Sequence, residues 1–164
     1  MPVSTTLLTL CSNAESCRVE VLESAITLAH QIAANGGEGR RTGALITIGR
    51  AADVLRLSRP LILNPLQGHG RASTHITNPD LRGTVKVLSQ LDGAFVVDGD
   101  GTVVAACRYL DVPTGNVDVP LGLGSRHVAA ASISKQLGIF AIVVSQSGVV
   151  RAFYDGTLFD ATVE

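Results

Sequence analysis

The sequence predicts an α/β fold: a single domain in which helices flank a central mixed parallel and antiparallel β-sheet. Three observations predict it. Apolar runs of strand length are interleaved with amphipathic runs of helix length along the chain. Two pairs of neighbouring β-rich runs are separated by turn residues and read as hairpins. No linker divides the 164 residues, a length that suits one hydrophobic core.

The elements follow in order. Residues 1–15 read as an accessory or poorly ordered segment of the one domain spanning 1–164. A helix is expected over 16–35, because Val21, Leu22, Ala25, Leu28, Ala29 and Ile32 recur at three- and four-residue steps. Asn35-Gly36-Gly37 supplies its stop and Glu38-Gly39-Arg40-Arg41 an exposed turn. Residues 42–49 read as a buried strand and 52–57 as a short helix broken by Pro60. Residues 66–79 turn to Gly, Ser, Thr, His and Asn, the composition of a loop. Asn78-Pro79 then opens a helix with Leu81, Val85, Leu88 and Leu91 on one face. Residues 93–97 and 102–107 form a hairpin across Asp98-Gly99-Asp100-Gly101. An irregular stretch, 111–124, leads to a helix over 125–137 that ends at Gly138. A last hairpin pairs 140–145 with 149–154. Gly43-Ala44-Leu45-Ile46 and Gly93-Ala94-Phe95-Val96 are alike, but each is an ordinary strand opening and carries no weight as a repeat.

Composition excludes several classes. Net charge is −1, aromatics make up 4% and Trp is absent, so no nucleic-acid partner is expected. No apolar run is long enough to cross a bilayer, and a secretory signal is not expected because no basic region precedes the apolar patch of residues 1–10. The expected location is therefore cytoplasmic, with no membrane partner. The three cysteines, Cys11, Cys17 and Cys107, have no metal-ligand spacing and suit a reducing interior without disulfides. Asp98-Gly99-Asp100-Gly101 is not a calcium loop, because Tyr109 stands where the closing carboxylate belongs. Gly122-Leu123-Gly124 lacks the third glycine of a dinucleotide fingerprint, and neither a Walker A sequence nor a G-x-S-x-G elbow is present. His30 reads as packing, His69 and His75 as loop residues, and Arg40 and Arg41 as solvated.

Two segments can carry chemistry. In Leu123-Gly124-Ser125-Arg126-His127, Ser125 is the expected N-cap, and Arg126 and His127 fall in the first turn. A cation is disfavoured there by the helix dipole unless an anion docks among the free N–H groups. The segment is therefore either a phosphate site or an exposed basic pair. In Leu91-Asp92-Gly93-Ala94, an acid stands at the mouth of a buried strand. It serves either to bind a divalent ion or take a proton from a hydroxyl, or simply to make a helix-to-strand turn. Ser145, at a strand end, fits a turn or a phosphate donor.

Taken in order, Asp92-Gly93-Ala94 and Gly124-Ser125-Arg126-His127-Val128-Ala129-Ala130, with Ile142-Val143-Val144-Ser145 after them, resemble the signatures of the diadenylate cyclase (DAC, or DisA_N) family. The resemblance covers roughly residues 36–156. Gly39-Arg40-Arg41-Thr42-Gly43 and Leu57-Ser58-Arg59-Pro60-Leu61-Ile62-Leu63-Asn64-Pro65 resemble its archaeal-type branch. It implies that fold and a cyclase that joins two ATP into cyclic di-AMP, with release of two pyrophosphates and a divalent metal (Mn²⁺ or Mg²⁺) as cofactor. The site would lie between two facing protomers of a homodimer or higher homo-oligomer. Asp92 would meet the attacking hydroxyl and, with His127, the metal; Arg126 and His127 would hold phosphates. Gly93, Ala94, Gly124 and Ser125 would line the nucleotide, Leu110 the adenine, and Ser145 the phosphate tail. The chain departs from the family pattern at Val128, where an Arg is frequent, and at Gln146, where many members have Glu. Those departures favour the alternative, a non-catalytic module that senses ATP or cyclic di-AMP.

Overall fold

A computed structural model describes residues 2–35 and 43–162. The predicted stop at Gly36-Gly37, the turn at Glu38-Gly39-Arg40-Arg41 and Thr42 lie outside the described residues. The elements run α1 (Thr5–Asn13), α2 (Val19–Asn35), β1 (Ala44–Ile48), α3 (Ala51–Arg56), β2 (Ser58–Pro60), α4 (Pro79–Leu88), β3 (Ala94–Val97), β4 (Val103–Leu110), α5 (Ser125–Leu137), β5 (Phe140–Val144), β6 (Val150–Tyr154) and β7 (Thr157–Asp160). One seven-stranded sheet has the order β2-β4-β3-β1-β5-β6-β7. β1 and β3 pair in parallel and the other neighbours pair antiparallel, so the sheet is mixed, as expected.

Strand alternation divides the core between two faces. Ile46, Ile48, Phe95, Val97, Phe140 and Ile142 point into a layer filled by Leu7 of α1, Leu22, Ile26 and Ala29 of α2, and Leu81 and Val85 of α4. Leu45, Val96 and Val143 point the other way, toward α3 and α5, in a layer rich in small residues: Ala51, Ala94, Ala105, Ala130, Ala131 and Ala141. The central strands β1, β3 and β5 are buried along their whole length, which is why they read as continuous apolar runs rather than alternating ones.

Several details differ from the sequence expectation. α1 is a helix whose Leu7 and Cys11 are fully buried, and Ser4 N–H donates to the Ala161 carbonyl (3.1 Å). β2 and β7 are added edge strands; Pro60 is tolerated in β2 because an edge strand needs no donor on its open side. α4 opens as expected, the Asp80 N–H donating to the Asn78 side chain (2.9 Å), but it ends at Leu88, so Leu91 lies beyond it and is exposed. Cys11 and Cys17 form a disulfide, with Cα atoms 5.2 Å apart, because the chain turns back directly after α1 and brings the two side chains together. The expectation of thiols alone is therefore corrected; only Cys107 is free, and it is buried. Among the described residues no helix is long and apolar enough to cross a membrane.

Candidate active site at one rim of the sheet

Strand direction alone gathers the predicted residues. β1, β3 and β6 begin, and β4 and β5 end, at the same rim, because β1 and β3 run together while β4 and β5 run against them. Asp92 precedes β3, Leu110 closes β4, Ser145 follows β5, and the N-terminus of α5 arrives over β1 and β5 from the Ala-rich face.

Asp92 is aimed by the glycine after it. Gly93 has φ +106, and a Cβ there would lie 2.6 Å from the Cys107 backbone carbonyl carbon. Cys107 is itself left-handed (φ 59), and the β3–β4 register shifts just beyond Ala94. Only glycine fits a positive φ against so close a neighbouring strand. Asp92 emerges from this bulge with its side chain 90% exposed, and its Oδ1 is 3.7 Å from Nη2 of Arg126. An ion pair of that length with one solvated partner is worth about 0–1 kcal/mol, so an incoming phosphate can displace it.

Arg126 occupies the first turn of α5, and its side chain is one-third exposed. The space it fills exists because Gly43 has no side chain: a Cβ on Gly43 would lie 2.5 Å from Nη1. The cap of α5 is Gly124, not Ser125 as the sequence suggested. Gly124 has extended backbone, and its carbonyl accepts from the N–H groups of His127 (3.1 Å) and Val128 (3.3 Å). Ser125 is already helical, and no side chain caps the helix, which leaves first-turn donors open toward an anion.

His127 is 5% exposed and stands edge-on to Phe153, ring centroids 6.3 Å apart. Nη1 of Arg151 lies 3.4 Å from its Nε2, while its buried Nδ1 has no partner. A guanidinium can only donate, so Nε2 accepts and the proton belongs on Nδ1. Burial, then the charges of Arg151 and Arg126, lower the imidazole pKa and hold it neutral. The Ser145 Oγ accepts from the Val149 N–H (3.0 Å) and shares a hydrogen bond with Ser147 Oγ (2.8 Å). It thus closes the turn and faces the cleft at once.

Gly124, Ser125, Arg126, His127 and Ser145 line one cleft of about 470 Å³, together with Gly122, Leu123, Gln146, Ser147 and Arg151. Asp92 joins it through Arg126. Gly93, Ala94 and Leu110 lie outside the cleft lining: Ala94 is buried in β3, and Leu110 is half-buried at the same rim. A wider cleft of about 850 Å³, which includes Ser4, His30 and Asp160, gathers none of the predicted residues. Sequence reasoning missed Gly43 and Arg151. The likeness of Gly43-Ala44 to Gly93-Ala94 was the available signal for the first, since both glycines end at this rim and both make room for a neighbour. Among the described residues, no group of three or more His, Cys, Asp or Glu side chains could hold a metal ion by itself.

Comparison with known proteins shows the family and the fold. Residues 31–158 match the family model DAC, described as DisA bacterial checkpoint controller nucleotide-binding. The chain is 42% identical over 154 residues to a diadenylate cyclase of Methanocaldococcus jannaschii, covering 93% of this chain and 48% of that one. It is 37% identical over 139 residues to a diadenylate cyclase of Haloferax volcanii, covering 84% and 51%. The chain therefore spans about half the length of these two relatives. In fold it is similar to DacA from Staphylococcus aureus, crystallised as a double mutant, with TM-score 0.58 and 22% identity over 88% of this chain and 87% of that one. It is also similar to a hypothetical membrane-spanning protein from Bacillus cereus, with TM-score 0.63 and 20% identity over 92% and 66%.

Proposed function

Because the chain belongs to the DAC family of DisA-type nucleotide-binding domains, we propose that it condenses two ATP into cyclic di-AMP, releasing two pyrophosphates. The observation that carries this reading is the meeting of the Asp92 carboxylate and the Arg126 guanidinium, 3.7 Å apart, at the mouth of the cleft.

In the proposed reaction the 3′-hydroxyl of one ATP attacks the α-phosphorus of the other, and the reciprocal attack closes the ring. Asp92, exposed and beside the cation, orients that hydroxyl and takes up its proton. Arg126 and the open first-turn N–H groups of α5 meet the charge that grows on the α-phosphate and the leaving pyrophosphate. Gly124 and Ser125 let the phosphates approach the backbone, Ser145 donates to the tail, and Gly93, Ala94 and Leu110 border the nucleoside at the β3–β4 end.

The exposed Asp92 carboxylate would hold a hard divalent ion, Mn²⁺ or Mg²⁺, in company with the oxygens of bound phosphate. When bound, such an ion would neutralise phosphate charge. His127 is a poor second ligand, because its Nε2 already faces the Arg151 guanidinium and its ring is buried against Phe153. The cleft beside Arg126 holds one nucleotide per chain, so two opposed nucleotides require a second copy related by a twofold axis.

The test is incubation of the purified protein with ATP and either metal, followed by chromatography for cyclic di-AMP. Asp92→Asn is expected to keep fold and ATP binding and to lose product. Product from that variant would refute the role of Asp92. Gln146 in the cleft favours a second reading, a nucleotide sensor. Wild-type protein that binds ATP yet makes no product with either metal would decide for it.

A further inference from the structure

We propose that Arg151 is a second phosphate-binding residue of the cleft and that it recognises the outer phosphates of the triphosphate, distinguishing ATP from AMP. The inference rests on the cleft being the nucleotide site.

Arg151 stands on β6 opposite Val143, one strand beyond Ser145, and its strand partner on the other side is Asp160 of β7. An acid directly across an antiparallel pair is the ordinary partner for such a cation. Yet among the described residues Arg151 forms no ion pair, and its guanidinium reaches His127 and the cleft wall instead. A half-buried guanidinium set against a neutral imidazole gains one weak hydrogen bond. Arg126 lines the same small cleft, so two like charges converge on it. That arrangement costs free energy in the empty protein and is stabilised when an anion enters.

Position along the rim gives the polarity. Across the sheet the order is Leu110 on β4, Asp92 before β3, Gly43 beneath Arg126 before β1, Ser145 after β5, and Arg151 on β6. Neighbouring strands lie about 4.8 Å apart, so the row from Asp92 to Arg151 spans roughly 14 Å. That is room for a ribose and three phosphates laid along the rim. With the reacting end at Asp92 and Arg126, the β- and γ-phosphates fall to Arg151.

The test compares binding of 3′-deoxy-ATP, which lacks the attacking hydroxyl, with binding of AMP, by calorimetry in Mg²⁺. Arg151→Gln should weaken 3′-deoxy-ATP by roughly tenfold or more, the size of a lost charge-assisted hydrogen bond, and leave AMP unchanged. Unchanged 3′-deoxy-ATP binding overturns the proposal. So does equal weakening of both ligands, the signature of a merely structural arginine. If Arg151→Gln does not fold, Arg151→Lys keeps the charge without the fork and should show a smaller loss confined to the triphosphate; wild-type selectivity in that variant also overturns it. Wild-type protein that binds neither ligand refutes the nucleotide-site reading itself.

Discussion

Replacing Gly43 with alanine should disable the site while sparing the fold. The new Cβ would lie 2.5 Å from Arg126 Nη1, 2.8 Å from its Cζ and 3.0 Å from the Val144 carbonyl oxygen. Ordinary contacts between such atoms are about 3.5 Å or longer, so the guanidinium must retreat by roughly 1 Å or more. It is the free end of a flexible side chain and can do so, leaving Asp92. The loss to stability is then that of an exposed ion pair, about 0–1 kcal/mol, plus a tight but tolerable approach to Val144. Against this, alanine restricts the unfolded chain and returns about 0.4–1 kcal/mol. The melting temperature should therefore move by no more than about 4 °C. Function should fall much further. A displaced charge-assisted contact is worth about 1.5–3 kcal/mol, or roughly ten- to a hundredfold in kcat/KM for cyclic di-AMP formation. Chromatographic product assays and thermal melts on the same preparation check both halves. Wild-type kcat/KM in Gly43→Ala would refute the placement of Arg126. A collapse of the melting temperature would show that Gly43 serves the backbone rather than the guanidinium.

Gly93→Ala should behave in the opposite way. Its Cβ meets the Cys107 backbone at 2.6 Å with φ +106, nothing flexible can yield, and a stability loss of about 2 kcal/mol or more is expected in urea unfolding; a loss under about 1 kcal/mol would refute the bulge argument. Stability should also decline as pH drops below about 6.5. The unfolded chain protonates His127 and His30 near their ordinary value of 6.5, whereas burial lowers both in the folded chain. The unfolded state thus binds more protons in that window, and folding weakens as pH falls. His127→Gln should flatten part of the slope in melts between about pH 7.5 and pH 5, and an unaltered slope would show that His127 is not the group responsible.

The sequence spoke most clearly where local chemistry decides the structure. α5 between Gly124 and Gly138, the β3–β4 hairpin and the Asn78 cap of α4 each depend on residues within a few positions of one another. Elements settled by distant partners were not legible. α1 has only Leu7 and Cys11 buried, and their burial depends on α2 and on the chain's far end at Ala161. β2 and β7 have three and four residues and exist because β4 and β6 offer open edges. The site divides in the same way. Asp92 and the Arg126-His127 pair stood out as separate motifs, but their meeting depends on β3 lying beside β1. Arg151 was not singled out within the last hairpin, and β7, which pairs with its strand, was not foreseen. Gly43 looked like any strand opening until Arg126 was seen to occupy the space it leaves.

The thin layer of alanines beneath α5 has a consequence of its own. Methyl side chains let the helix ride close to the strands, and the height of its ride determines how far its tip stands from the acid at the mouth of β3. Chemically inert positions such as Ala130 and Ala131 on α5 and Ala141 on β5 therefore act as the shims of the apparatus. A single added methylene in that layer would tilt the tip away from its target without touching a polar atom. Constraint imposed by the reaction should accordingly extend deep into the interior, to residues that never meet a nucleotide.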